Sequence, residues 1–346
     1  MPEAVTVGVI ANPASGRDIR RLVAGASVFD NAEKGNMVFR LMVGLGAVGV
    51  KRVLMMPAAS GLYDSLDRNL RGNAAREDEQ PLPELEPIEM TVRHSARDTV
   101  EAVETMGERG VAAIAVLGGD GTNRIVARHC GDIPLCTLST GTNNAFPRMR
   151  EATVAGLATG LVATGRAGDG ALRREKILRV GLNGTPSYDC ALVDVAVSSE
   201  RFVGARAIWR AGDVSELFVA FAAPDAVGFS SVAGLLDPVL RSAGHALYVR
   251  LTDPREAEMV LTVPLAPGLV VPIGVAESRR IEPGETVRVE HTSGSLALDG
   301  EREIELKPED QVEVRLDADG PTTIDVEAVM QGAARHGLLN ALLGDT

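Results

Sequence analysis

Aromatic side chains make up only 3% of the 346 residues, and tryptophan occurs once. The core must therefore be assembled from Val, Leu, Ile, Ala and Met. Cysteine is also scarce: Cys130, Cys136 and Cys190 form an odd set with no metal-ligand spacing, which fits a reducing compartment. No run of about 18 apolar residues occurs, so no membrane span is read. Met1-Pro2-Glu3-Ala4 lacks a basic segment leading into an apolar stretch, so no signal peptide is read and a cytoplasmic location is expected. Positive charge is in deficit as well. A net charge of −12 argues against nucleic acid or an anionic membrane as partner, since both demand a positive footprint. A phosphate-bearing small molecule is still compatible, because a local site can be positive on an acidic protein.

What is present is an ordinary globular composition, 45% hydrophobic and 24% charged, in a chain long enough for two domains. The 37 glycines predict many tight turns or close backbone approaches. Val5 to Ile10 reads as a buried strand that stops at Asn12-Pro13-Ala14-Ser15-Gly16. Met37, Leu41, Leu45 and Val48 fall at helical spacing within 33–49. Val53 to Met56 is a second strand, and a charged, proline-bearing connection leads to a third near Ile88 to Val92. Ser95 opens a helix with Asp98 three residues on, a variant of the capping box, and Gly110 stops it. Val111 to Leu117 and Ile133 to Leu138 are apolar enough for central parallel strands. Strands alternating with helices predict an open, doubly wound parallel sheet over 1–150.

From 151 the pattern changes. Residues 151–166 look helical and bridge the halves. Strands are then expected at 177–182, 188–197, 246–251, 259–263, 269–275, 286–290, 295–298, 302–306 and 311–316, separated by turn residues, which predicts a mostly antiparallel β domain over 151–324. Phe202 to Val239 reads as helical material within it. A closing helix is expected in the tail, 325–346, packed back on the first domain.

Four segments carry candidate chemistry. Gly118-Gly119-Asp120-Gly121-Thr122 sits between the strand Val111 to Leu117 and a new helix. Glycines there let the backbone approach a phosphate, and the helix presents unpaired N–H groups and the positive end of its dipole. Thr122 either caps that helix or binds a phosphate oxygen. Asp120 is repulsive toward phosphate unless it holds a cation or accepts a proton from a hydroxyl. The alternative is a plain strand-to-helix turn. Ser139-Thr140-Gly141-Thr142-Asn143-Asn144 follows the next strand and can reach the same ligand, though alone it equally fits a self-capping polar loop. Asn12 to Gly16, with Asn12, Ser15 and Gly16 as its hydrogen-bonding members, reads alone as a turn. Three such loops at the ends of three core strands describe one crevice. Asp299-Gly300-Glu301 alone favours a tight hairpin turn.

Together these motifs resemble the superfamily of NAD kinases, diacylglycerol kinases and sphingosine kinases, whose hallmark is the Gly-Gly-Asp-Gly-Thr loop. The resemblance spans nearly the whole chain. It implies an α/β domain, a β-sandwich-like domain and a nucleotide cleft between them. The lipid-kinase branch shares the Asn-Pro-x-Ser-Gly turn, a Gly-Thr-Gly-Asn-Asp-Phe loop close to Gly141 to Phe146, and an Asp-Gly-Glu that supplies metal-site and base carboxylates, matched by Asp299 and Glu301. Asp18 to Ala24, Val28 to Asn31, Glu33-Lys34 and Gly141 to Pro147 look closer still to the acetoin catabolism protein X family, which is grouped with ATP-NAD kinases.

Two departures bear on specificity. The Asn-Glu pair with which NAD kinases grip adenosine is replaced by Val193-Asp194, and the Asn-Glu that follows the loop in lipid kinases is replaced by Arg124 and Ile125. The resemblance implies a small-molecule kinase using ATP and Mg²⁺, with NAD as first acceptor. Asp120, Asp299 and Glu301 are then the catalytic candidates, Asp299 the candidate metal ligand, and Asp194 an acceptor contact. Its rivals are a non-catalytic nucleotide-binding accessory of an acetoin dehydrogenase system, and a lipid kinase with Phe218, Phe221 and Phe229 at an apolar entrance. A homo-oligomer is expected from relatives of this type.

Overall fold

A computed structural model describes residues 4–13, 29–57, 61–141, 144–200, 211–290 and 293–340. Ser15, Gly16, Thr142 and Asn143, together with the 18–24 segment, lie outside the described residues.

The first layer is a seven-stranded sheet. Its strands are β1 (Thr6–Ala11), β2 (Arg52–Met55), β3 (Glu84–Pro87), β4 (Ala113–Gly118), β5 (Leu135–Ser139), β6 (Leu172–Arg174) and β18 (Thr322–Ile324), in the order β3-β2-β1-β4-β5-β18-β6. All neighbours run parallel except β18 with β6. Helices cover both faces, as the βαβ alternation predicts. Val7, Val9 and Ala11 of β1 point into a core with α1 (Asn31–Ala47), α5 (Ala152–Ala163) and α7 (Val326–His336). Ile10 points the other way, into a core with α3 (Ala96–Glu108) and α4 (Asp120–His129). The chain steps outward from β1 to β2 and β3, then returns to β4 on the far side of β1. The order therefore reverses between β1 and β4, and the loops that follow those two strands flank one crevice.

Helix α5, expected as a bridge, packs against α1 backbone to backbone. A Cβ on Gly156 would stand 2.2 Å from the Leu41 carbonyl oxygen, and one on Gly44 would stand 2.3 Å from that of Thr153. With β6, β18 and α7 it completes the first layer.

The second layer is antiparallel. Strands β12 (Met259–Ala266), β13 (Leu269–Ile281), β11 (Ala246–Thr252), β10 (Val214–Val219), β9 (Asp194–Ser198), β15 (Gly294–Leu298) and β16 (Glu301–Leu306) form one sheet in that order. Strands β14 (Thr286–Arg288), β17 (Val312–Asp317), β7 (Ile177–Leu182) and β8 (Thr185–Ala191) form a second. The two face each other across a core that includes Leu178, Val314, Val195, Phe218 and Leu296.

Two expectations are corrected and one helix is added. The third strand of the first sheet is Glu84–Pro87 rather than 88–92, because an edge strand needs backbone pairing with β2 and little apolar side-chain surface. The 202–239 stretch, where described, holds β10 and a short helix α6 (Ser230–Leu236). β10 is buried on both sides, Phe218 in one core and Leu217 and Val219 in another, so its apolar run lacks the alternation of a half-buried strand. Helix α2 (Leu62–Ala74) had no expected counterpart.

Candidate functional site

The glycine-rich loop joins β4 to α4, with Gly119 as N-cap and Asp120 as first helical residue. Both leading glycines are demanded by close packing. A Cβ on Gly118 would lie 2.7 Å from the Thr122 Cβ, and one on Gly119 would lie 2.8 Å from the Asn144 Oδ1. Thr122 does not cap the helix; its Oγ1 accepts a 2.9 Å hydrogen bond from Asn12 Nδ2 and ties the first loop to the second. Asn144 Nδ2 donates to Ser139 Oγ at 2.7 Å and to the Gly141 carbonyl at 3.3 Å, while Ser139 Oγ donates to that carbonyl at 2.6 Å. The described parts of the three loops thus form one hydrogen-bonded rim.

Asp120 turns its carboxylate onto the third loop, accepting from the Ala145 amide at 3.0 and 3.1 Å and the Phe146 amide at 2.7 Å. Arg241 holds the same two residues by their carbonyls, at 3.2 Å from Ala145 and closer still to Phe146, with its guanidinium stacked over the Phe146 and Phe221 rings.

Asp299 and Gly300 make a two-residue turn between β15 and β16, both with positive φ (53° and 81°), where Leu298 pairs with Glu301. The hairpin reading of Asp-Gly holds. This turn aims the buried Asp299 carboxylate at the start of β9, where it accepts from the amides of Leu192, Val193 and Asp194 at 2.8–3.3 Å. Burial pushes the Asp299 carboxyl up to about 8; Arg124 and the Val193 amide oppose this, and the nearby Asp120 and Asp194 add to it. Both Asp299 oxygens accept amide hydrogens, which makes it a poor metal ligand. Glu301, next in the hairpin, comes within 3.6 Å of the position a Cβ on Gly121 would take. Among the described residues no group of three or more His, Cys, Asp or Glu side chains is arranged to hold a metal ion.

Arg124, the departure from the lipid-kinase pattern, crosses between the layers. It is 6% exposed and pairs with Asp189 of β8 at 3.1 Å and Glu303 of β16 at 3.0 Å. Burial alone would lower its pKa, but Asp299, Asp189 and Glu303 together raise it.

Two further residues near the loops were not singled out as site residues by the sequence. Lys34 is 1% exposed and its Nζ donates to the Asn12 carbonyl at 3.0 Å; its signal was a lysine in register with the apolar Met37 and Leu41. Arg241 had no local signal. The expected aromatic entrance is largely core, with Phe218 fully buried and Phe229 6% exposed. No helix among the described residues is long and apolar enough to cross a membrane.

Residues 7–167 match the ATP-NAD kinase N-terminal domain, and residues 176–319 match the acetoin catabolism protein X C-terminal domain. A diacylglycerol kinase structure from Bacillus anthracis str. Sterne aligns over 95% of this chain and 99% of its own, at 10% identity and a TM-score of 0.41. The acetoin catabolism protein X of Cupriavidus necator is 47% identical over 98% of this chain and 95% of its own length. The chain belongs to the acetoin catabolism protein X family, built on an NAD kinase-type α/β half and an antiparallel β half.

Proposed function

We propose that the protein is a phosphotransferase that takes its nucleotide in the crevice between the N-terminus of α4 and the Asp299–Glu301 hairpin. The observation that carries this reading is the approach of the Glu301 carboxylate to Gly121, which sets a carboxylate of the β half against the helix N-terminus of the α/β half. The division of labour follows the sheets: the α/β layer takes the phosphates, the β layer the acceptor. Backbone N–H groups of the first turn of α4 and the helix dipole receive phosphate oxygens. Asn12, Thr122, Ser139 and Asn144 hold the rim in place around them, and Asp194 at the start of β9 flanks the acceptor side.

Among the carboxylates, Glu301 is the general base, because it is the one that the hairpin brings against Gly121 in the first turn of α4, while Asp120 and Asp299 turn toward backbone amides. Asp120 and Asp299 are positioning residues, one fixing the third loop and the other the start of β9. Mg²⁺ commonly keeps several waters and binds through one or two carboxylates plus substrate phosphates, so the absence of a preformed acidic cage among the described residues fits a cation that arrives with ATP. Glu301 would help hold the ion, which would supply neutralisation of phosphate charge. NAD is the first acceptor to try, given the match to the ATP-NAD kinase N-terminal domain.

Phosphorus NMR of the protein with ATP, Mg²⁺ and NAD tests this. A new 2′-phosphate signal is expected, and Glu301→Gln should slow its appearance by about 10²–10⁴-fold, the usual worth of a general base. Equal rates in the two proteins would remove Glu301 from the chemistry.

The amide-bound states of Asp120 and Asp299 favour one second reading, a nucleotide-binding accessory of an acetoin-cleaving dehydrogenase system. It expects ATP or NAD to raise the melting temperature with no phosphorylated product from any acceptor.

A further inference from the structure

The outer edge of β5 is covered by two separate pieces of chain. Thr323 of β18 pairs opposite Leu135, and Arg148 bridges to Leu138 further along. Where these pieces meet, an open cleft is lined by Thr137, Arg148, Arg150, Arg173, Glu175 and Arg241, with Asp325 on its wall.

Two of the four guanidinium groups are neutralised within the wall. Arg173 pairs with Asp325, and Arg241 pairs with Glu175 at 3.3 Å. Arg148 and Arg150 have no ion pair or side-chain hydrogen bond with any described residue. On a chain of net charge −12, this is a concentrated positive spot in a concave, partly desolvated place. Guanidinium groups are the side chains best suited to planar, forked recognition of oxyanions. A carboxylate would neutralise one of the two uncompensated charges. A phosphate monoester, carrying about −1.5 to −2 charges near neutrality, matches both.

We propose that this cleft binds the phosphate group of a phosphorylated small molecule, at a site separate from the α4 loop. The site stands whether or not the phosphotransfer reading holds. It has a direct connection to the crevice, because Arg241 on its wall grips the carbonyls of Ala145 and Phe146 whose amides Asp120 holds. The phosphate belongs either to the acceptor itself, reaching across from the crevice, or to a second molecule.

The test is calorimetric titration of the full chain with inorganic phosphate and with glycerol 3-phosphate. Saturable binding is expected, about tenfold weaker in Arg150→Gln, as the loss of one charge-assisted contact implies. The cleft's share of the binding should be lost in the Arg148→Gln/Arg150→Gln double variant and kept in Thr122→Ala at the α4 loop. Arg148 is exposed and Arg150 half-buried, so an unchanged melting temperature without ligand confirms that the double variant is folded. Arg148→Lys/Arg150→Lys should recover part of the affinity, through charge without the fork. Repeating the titration with a non-hydrolysable ATP analogue present separates the sources: competition assigns the phosphate to a molecule spanning both places, independent binding to a second molecule. Absence of saturable binding in the wild type, full affinity in the double glutamine variant, or loss of binding in Thr122→Ala alone would overturn the proposal.

Discussion

Asp299 combines left-handed backbone, full burial and several amide contacts, and its protonation has a consequence for stability. Its folded pKa, about 8, lies above the ordinary aspartate value of 3.8 expected in the unfolded chain. The folded protein therefore binds more protons than the unfolded chain between those values, and the contribution to stability is complete below pH ~4 and is lost as pH rises through about 8. Asparagine also tolerates positive φ at this turn position, so Asp299→Asn keeps the hairpin while removing the titration. The melting temperature of the wild type relative to Asp299→Asn should fall from pH ~4 to pH ~8 and then level. A difference that stays flat across that window would show that the carboxyl is ionised in the fold throughout. At this scale the motifs were legible as residue types but their partners were not. Asp120 could be singled out because a carboxylate beside phosphates is repulsive without a cation or a hydroxyl proton to accept, and Asp299 through the resemblance of Asp299-Gly300-Glu301 to a lipid-kinase motif. That the purpose is to hold backbone amides of another loop depends on which loops meet, which no local spacing encodes. Arg124 was visible only as a departure from a pattern, since its partners lie in β8 and β16.

The helices pack closely enough for individual glycines to be read by sign. An alanine in a helix interior is better than glycine by about 0.8–1 kcal/mol. At Gly72 in α2, where an added Cβ meets nothing within 4 Å, that gain should appear in full as a higher urea midpoint for Gly72→Ala. At Gly156 in α5 the same change drives a methyl to 2.2 Å from the Leu41 carbonyl oxygen of α1. Overpacking against rigid backbone costs about 1–3 kcal/mol or more, so Gly156→Ala should lower the midpoint despite the better propensity. If both substitutions stabilise, the α1–α5 contact is looser than described. Elements with a clear apolar period were readable at this scale: β7 spans 177–182 as expected, and α3 begins after Ser95, where the Asp98 side chain accepts from the Ser95 amide. Strands stabilised mainly by their neighbours were not. β6 and β18 have three residues each and exist because one pairs with the other and β18 with β5. β10 escaped because burial on both faces erases the alternation that marks a strand.

Across the whole molecule, Arg124 is a buried charged link between the α/β half and the β half, beside the more exposed Arg128, which also pairs with Asp189 at 3.0 Å. Removing one partner from a buried ion pair leaves the others desolvated and uncompensated, at a cost of about 3–5 kcal/mol. Arg124→Met keeps much of the volume and removes the buried charge that Asp189, Glu303 and the more distant Asp299 share, leaving Asp189 with Arg128 at 3.0 Å. The expected result is a loss of that size in urea unfolding. The Asp299 pKa should also move further up, because the Arg124 field now lowers it. The pairs tie α4 to β8 and β16 and so hold the hairpin that carries Glu301 against the glycine loop. Stabilisation by bound nucleotide, about 2.7 kcal/mol at a hundredfold excess over Kd, should therefore shrink in the variant if the crevice needs both halves. A variant that loses stability but retains the full nucleotide-induced shift would locate binding entirely within the α/β half and detach the hairpin carboxylates from it.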